Sequence, residues 1–215
     1  MNYGNIRRAM LLYAVTDRAW TGRQTLYEQV ERALQGGATC IQLREKELDD
    51  KAFLAEALEL KALCHSYQVP LIINDNVTVA LQCGADGIHV GQHDRAARDV
   101  RRLAGSQMIL GVSAQTVNQA IQAEQDGADY LGVGAVFPTA TKEDADAVPF
   151  DTLKAICETV SIPVVAIGGI SKDNLSNLAG SGVDGVALVS AIFSADDITG
   201  TCKLLRTLSE RMVEP

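Results

Sequence analysis

A formal net charge of −8 over 215 residues disfavours non-specific contact with nucleic acid or anionic membrane, so any anionic ligand must be held by locally placed basic groups. The 47% hydrophobic and 21% charged residues suit a globular protein that buries a sizeable core, and no apolar run reaches the roughly 18 residues of a membrane-spanning helix. Cys40, Cys64, Cys83, Cys157 and Cys202 are odd in number, widely spaced and form no Cys-x-x-Cys, which points to buried reduced thiols in a cytoplasmic protein.

Arg7 and Arg8, followed by apolar residues 9–15, imitate a signal peptide, but Thr16, Asp17 and Arg18 come next with no small-residue cleavage site. Residues 11–15 therefore read as a first buried strand. Thr25-x-x-Glu28 is a capping box opening a helix whose Leu26, Val30, Ala33 and Leu34 share one face, stopped by Gly36 and Gly37. Strand two covers 39–43. Asp49 caps the next helix, with Phe53, Ala57, Leu60, Cys64 and Tyr67 at helical spacing, and Pro70 precedes strand three at 71–73. Residues 77–83, closed by Gly84, make a two-turn crossover to strand four at 87–90, parallel to strand three. A helix over 95–103, strand five at 108–112, a second capping box at Thr116-x-x-Gln119 and strand six at 129–133 follow. Helices are expected over 150–159, 171–179 and 198–212, with strands seven and eight at 163–167 and 184–189.

Gly37, Gly84, Gly127 and Gly182 form an internal echo, each closing a helix two residues before Thr39, Asp86, Asp129 or Asp184 leads into a strand. Eight strands alternating with helices, without a linker, predict one (β/α)8 TIM-barrel domain over residues 1–215. In such a barrel the echo lies at the bottom, where it serves stability, and the polar residues just after strands gather at the opposite face.

Asp75 and Asp94 end the third and fourth strands, about 4.8 Å apart if the strands are neighbours, so they could share one Mg²⁺ at about 2.1 Å per bond. The competing reading is a helix N-cap, the commoner role for an Asp at the start of a helix. Arg44 and Lys46, two apart after strand two, point the same way as Gln42 in extended geometry and would form a basic clamp beside those acids. The alternative there is a solvated charge run neutralised by Glu45 and Glu47. A metal pair with Arg and Lys describes a diphosphate site. Gly168, Gly169 and Ser171 after strand seven, with Ser190 after strand eight, suit a second anion site for a monophosphate, and residues 137–149 are long enough for a lid carrying Lys142. His89 reads as a strand residue satisfied inside the barrel, and Ser113 has no His-Asp partner pattern that would make it a nucleophile.

The motifs Gln-Leu-Arg-Glu-Lys at 42–46, Ile-Asn-Asp at 73–75, Gly-Ala-Asp-Gly-Ile-His-Val-Gly-Gln-x-Asp at 84–94, Phe-Pro-Thr-Ala-Thr-Lys at 137–142, Ala-Ile-Gly-Gly-Ile at 166–170 and Val-Ser-Ala-Ile at 189–192 together resemble the thiamine phosphate synthase family over nearly the whole chain. The resemblance implies a transferase of thiamine biosynthesis that condenses 4-amino-2-methyl-5-hydroxymethylpyrimidine diphosphate with a thiazole phosphate, or its carboxylate, and releases diphosphate. It gives Asp75 and Asp94 to Mg²⁺. Gln42, Arg44, Lys46, Asn74, Ser113 and Lys142 go to the pyrimidine diphosphate, with Arg44, Lys46, Ser113 and Lys142 acting in catalysis; Thr139, Thr141, Gly169, Val189 and Ser190 go to the thiazole phosphate. Asn76, His93 and Ala135 depart from the family pattern, which commonly has Arg, Glu and Pro there. Partners are expected to be small-molecule substrates, not nucleic acid or membrane; oligomeric state is left open, with a homo-oligomer compatible. Rival readings are a thiazole tautomerase-like relative, a non-catalytic thiamine-precursor binder, and another phosphate-binding barrel such as a sugar-phosphate epimerase.

Overall fold

Successive side chains along a strand face opposite ways, and this chain fills the two faces differently. The computed structural model describes residues 3–22, 24–138 and 147–214. Its strands are β1 (Leu12–Val15), β2 (Cys40–Leu43), β3 (Leu71–Asn74), β4 (Gly87–Val90), β5 (Ile109–Ala114), β6 (Tyr130–Val133), β7 (Val164–Ile167) and β8 (Gly185–Leu188). All pair in parallel in sequence order, and β8 closes on β1. The helices are α1 (Tyr3–Ala9), α2 (Leu26–Gln35), α3 (Asp50–Ser66), α4 (Val77–Cys83), α5 (Ala97–Ala104), α6 (Val117–Gln125), α7 (Phe150–Thr159), α8 (Ser190–Phe193) and α9 (Ile198–Val213). The expected eightfold barrel is the fold.

Outward-facing strand residues, among them Leu12, Ile41, Leu71, Ile88, Leu110, Leu131, Val164 and Val186, pack with the helices in one continuous buried cluster. Each such side chain stabilises the fold by roughly 1.5–3 kcal/mol, so this shell supplies most of the hydrophobic stability. Inward-facing Tyr13, Cys40, Ile72, Ile109, Tyr130 and Val165 form a second, smaller cluster that Ile6 of α1 and Met10 close from below. The α1 helix was not expected; among the described residues Ile6, Ala9 and the following Met10 pack against the inner cluster, too few to read as a helical stripe, and Arg7 fixes it by pairing with Asp184 and donating to Ser161 O at 2.8 Å.

Local signals were obeyed where they were strong. Thr25 and Thr116 form complete capping boxes with Glu28 and Gln119, and Asp49 accepts from Ala52 N at 2.9 Å. The helix expected over 171–179 is a correction: only a short 3₁₀ turn, Leu175–Leu178, forms. Asn174 accepts from Ser171 N at 2.8 Å and donates to Gly169 O at 2.9 Å, so side chains take the backbone groups a helix would use. The helix expected from 95 starts at Ala97 and has no side-chain cap.

At the barrel bottom the echo has one repeated purpose. The Thr39, Asp86, Asp129 and Asp184 N–H groups donate to Leu12, Leu71, Leu110 and Val164 O, and their side chains accept from the N–H of the same four residues at 2.8–2.9 Å. The preceding glycines turn with φ of 92°, 62°, 92° and 89°. Among the described residues no helix is long and apolar enough to cross a membrane.

Candidate active site

Because β2 to β5 point Gln42, Asn74, His89 and Ser113 inward at their upper ends, one half of the barrel mouth is polar. The other half is apolar: Val15 belongs to the inner cluster, and Ile167 and Val189 pack against it. Gln42 is buried and donates through Nε2 to Tyr13 Oη at 2.7 Å; Ser113 Oγ lies 3.0 Å from His89 Nε2. His89 is satisfied inside the barrel, its Nδ1 2.9 Å from Tyr130 Oη.

Above this floor the charged residues divide. Lys46 Nζ reaches Asp75 Oδ2 at 2.5 Å, whereas Arg44 Nη1 lies 3.4 Å from Asp17 Oδ2 on the neighbouring loop. The clamp therefore opens over both β1 and β3 rather than onto the two acids alone. Glu45 does not neutralise it. Its carboxylate is buried, accepts the N–H groups of Glu47 at 2.5 Å and Leu48 at 3.1 Å, and pairs with Arg18. Arg18 also grips both oxygens of Glu56 at 2.8 and 2.7 Å, so an anchored carboxylate between Arg44 and Lys46 leaves their side chains to the mouth. Burial pushes the Glu45 carboxyl up, but those amides and Arg18 outweigh it and hold the group below its ordinary range.

Neither Asp75 nor Asp94 is a helix cap. The N-cap of α4 is Asn76, which accepts from Val79 N at 2.9 Å and donates to Asp50 at 3.0 Å; the departure at this position is thus a capping residue. Asp75 sits at φ 61° in a three-residue turn closed by Asn76 N–H to Asn74 O at 2.7 Å, and its own N–H donates to His89 O. A non-glycine residue held there costs on the order of 1–3 kcal/mol, a strain typical of functional turns. Asp94, exposed, accepts from Gly91 N at 2.7 Å. Among the described residues no group of three or more His, Cys, Asp or Glu gathers to hold a metal, so a cation here would have two protein carboxylates. These fit a hard divalent cation in donor type: both offer oxygens at one rim, on adjacent strands.

Gly168 and Gly169 turn at φ 95° and 67° after β7, and Ser190 begins the short α8 after β8. Phe137 N–H donates to Gly168 O at 3.1 Å, and a Cβ on Gly169 would lie 2.4 Å from Pro138 O and 2.6 Å from Phe137 O. Val148 N–H donates to Ala135 O at 2.7 Å, so both flanks of the connection after β6 stand beside the β7 turn. Thr139, Thr141 and Lys142 lie outside the described residues.

Tyr13, Tyr130, Arg18 and Glu56 were not singled out from sequence. Contacts spanning 117 residues, as between the Tyr13 and Tyr130 hydroxyls at 2.8 Å, leave no local spacing to read. The available signal was an inward-facing tyrosine beside glycine-bearing strands.

A family model for thiamine monophosphate synthase matches residues 12–192. The thiamine-phosphate synthase of Clostridium beijerinckii is 49% identical over 195 residues, covering 91% of this chain and 93% of its own, and that of Ruminiclostridium cellulolyticum is 50% identical over 194 residues, covering 90% and 92%. A solved structure of thiamine phosphate pyrophosphorylase from Pyrococcus furiosus superposes with a TM-score of 0.90 at 38% identity, covering 97% of this chain and 100% of that one. With these similarities spanning the barrel and its rim motifs, the chain belongs to the thiamine monophosphate synthase family and is a transferase of that kind.

Proposed function

We propose that this chain condenses the aminopyrimidine diphosphate with the thiazole phosphate to give thiamine phosphate and diphosphate, with carbon dioxide also released where the thiazole carries a carboxylate. The observation carrying this reading is the Lys46–Asp75 pair at a mouth split into a polar half over β2 to β5 and an apolar half. In the reaction the C–O bond at the pyrimidine methylene breaks with its electrons leaving on diphosphate, and the thiazole nitrogen lone pair forms the new C–N bond. That nitrogen carries no proton, so no general base is required, in keeping with a His89 whose ring nitrogens face Tyr130 and Ser113.

Catalysis rests on charge and position. Arg44 and Lys46, with Lys142, meet the negative charge developing on the leaving diphosphate, while Gln42, Asn74 and Ser113 hold the ring so that its methylene faces the thiazole. Asp75 and Asp94 would hold Mg²⁺, which when bound offsets charge on the diphosphate oxygens. Gly169, Val189 and Ser190, at the apolar half, are assigned to the thiazole phosphate, and Thr139 and Thr141 to the same ligand. Purified protein given both substrates and Mg²⁺ should form thiamine phosphate, detected by mass spectrometry, and chelation should stop it. Absence of product with both substrates present would sink the reading.

A further inference from the structure

We infer that Tyr13, Tyr130 and His89 form a directional hydrogen-bond wire that sets the donor and acceptor faces of Gln42 and Ser113, making them positioning residues that select an aminopyrimidine ring. The inference rests on the proposed function. It starts from four consecutive contacts across the barrel interior: Gln42 Nε2 to Tyr13 Oη 2.7 Å, Tyr13 Oη to Tyr130 Oη 2.8 Å, Tyr130 Oη to His89 Nδ1 2.9 Å, and His89 Nε2 to Ser113 Oγ 3.0 Å.

One end of this wire is set by the Gln42 amide, which this structure orients with Nε2 toward Tyr13 Oη. An amide NH₂ only donates, so Tyr13 Oη accepts from Gln42 and turns its own hydrogen to Tyr130. Tyr130 then donates to His89 Nδ1, the imidazole proton resides on Nε2, and His89 donates to Ser113 Oγ. The Ser113 hydrogen is consequently directed away from the wire, and the Gln42 amide oxygen faces away from Tyr13. Toward the mouth the pair thus presents one acceptor and one donor. That is the complement of an exocyclic amine, which donates, next to a ring nitrogen, which accepts; a ring with a carbonyl in place of the amine inverts both requirements.

The surrounding residues are cut to admit the wire. A Cβ on Gly111 would lie 2.1 Å from Tyr130 Cζ and 2.3 Å from its Oη, and a Cβ on Gly132 would lie 3.0 Å from His89 Cε1. Glycine inside a strand forgoes packing and is found where another group must come close, here a phenol and an imidazole. Burial pushes both phenols well above their ordinary values, so they remain neutral carriers of a hydrogen. Space filling alone would need only the rings, which phenylalanine supplies; the hydroxyls are the groups to test.

The test uses steady-state kinetics of the full chain with Mg²⁺, both substrates and a 4-oxo analogue of the pyrimidine diphosphate. The parent should make thiamine phosphate and discriminate against the analogue; a parent that makes none removes the functional reading, and this inference with it. Tyr130→Phe should lower kcat/KM for the aminopyrimidine about tenfold or more, leave the KM for the thiazole phosphate within about twofold, and narrow the preference for amine over carbonyl. Tyr13→Phe cuts the wire at another link and should do the same, serving alone if Tyr130→Phe does not fold. The double variant should be no worse than either single one, because one break already disconnects the wire. Multiplying losses, equal losses for both substrates, or an unchanged preference in a parent-active background would overturn the wire while leaving the function standing.

Discussion

The two rims of the barrel are built from similar residue types and behave oppositely. At the bottom the acids that open strands are settled: Asp86 pairs with Lys61 at 2.6 Å, Asp129 with Arg101 at 2.5 Å, and each also accepts a strand N–H. Even in the cleft of about 340 Å³ beside Arg101 and Glu124 both charged groups are engaged: Arg101 donates to Gly105, Met108 and Gly127 carbonyls and Glu124 accepts from Ser161 and Ile162. At the top, Asp75 is held at a positive φ and its cation partner is the exposed Lys46 at 2.5 Å, Asp94 accepts Gly91 N–H at 2.7 Å but is itself exposed, and Arg44 reaches its acid only at 3.4 Å. The difference teaches that the kind of partner, rather than acidity or cavity size, separates a structural carboxylate, tied to a strand N–H and a sheltered cation, from one whose exposed partner can yield to a ligand.

The comparison is broken most sharply by exchanging consequences between rims. Asp75→Asn or Asp94→Asn should cut turnover by about 10²–10³-fold with circular dichroism unchanged, since neither carboxylate supports the core. Near-parental rates in both variants would remove the metal assignment. Arg44→Ala is expected next, raising the KM for the pyrimidine diphosphate or lowering kcat by about tenfold while sparing the KM for the thiazole phosphate. Asp129→Ala at the bottom should leave kcat/KM intact but cost about 2 kcal/mol, or roughly 4–8 °C in melting temperature. A large catalytic loss there would end the division between rims.

The smallest expected effect concerns pH. A carboxyl held below its ordinary value in the folded state, as Glu45 is, stabilises fully above the unfolded value near 4.3 and loses that contribution as pH falls through the folded value. Glu45→Gln should therefore lower stability at neutral pH and flatten the acid limb of the unfolding curve below about pH 4.3. An acid limb as steep as the parent's would show that Glu45 is not among the groups anchoring the β2 loop.

What sequence made legible was what short-range chemistry decides: eight strands, three side-chain caps and the four bottom turns, each signalled within a few residues. Rim positions such as Gln42, Asn74 and Ser113 were legible because strand alternation places them inward. The 3₁₀ turn at Leu175–Leu178 was not, since Asn174 and Ser171 compete locally with the helix. Nor was the role of Glu45, whose partners Arg18 and Glu56 come from other elements, and whose neighbours Arg44 and Lys46 made it look like a counter-charge. Long-range pairing has no fixed spacing, so only the fold reveals it.

The four reciprocal ties at the bottom join β1 to β2, β3 to β4, β5 to β6 and β7 to β8, and among the described residues the remaining neighbours show no such tie. The circle is therefore stitched in quarters, and this governs where it can be reopened. A circular permutant whose new termini fall between α3 and β3, or between α7 and β7, keeps every stitch and should fold; one cut between α4 and β4 at Gly84, or between α6 and β6 at Gly127, separates a tying residue from the helix end that presents it.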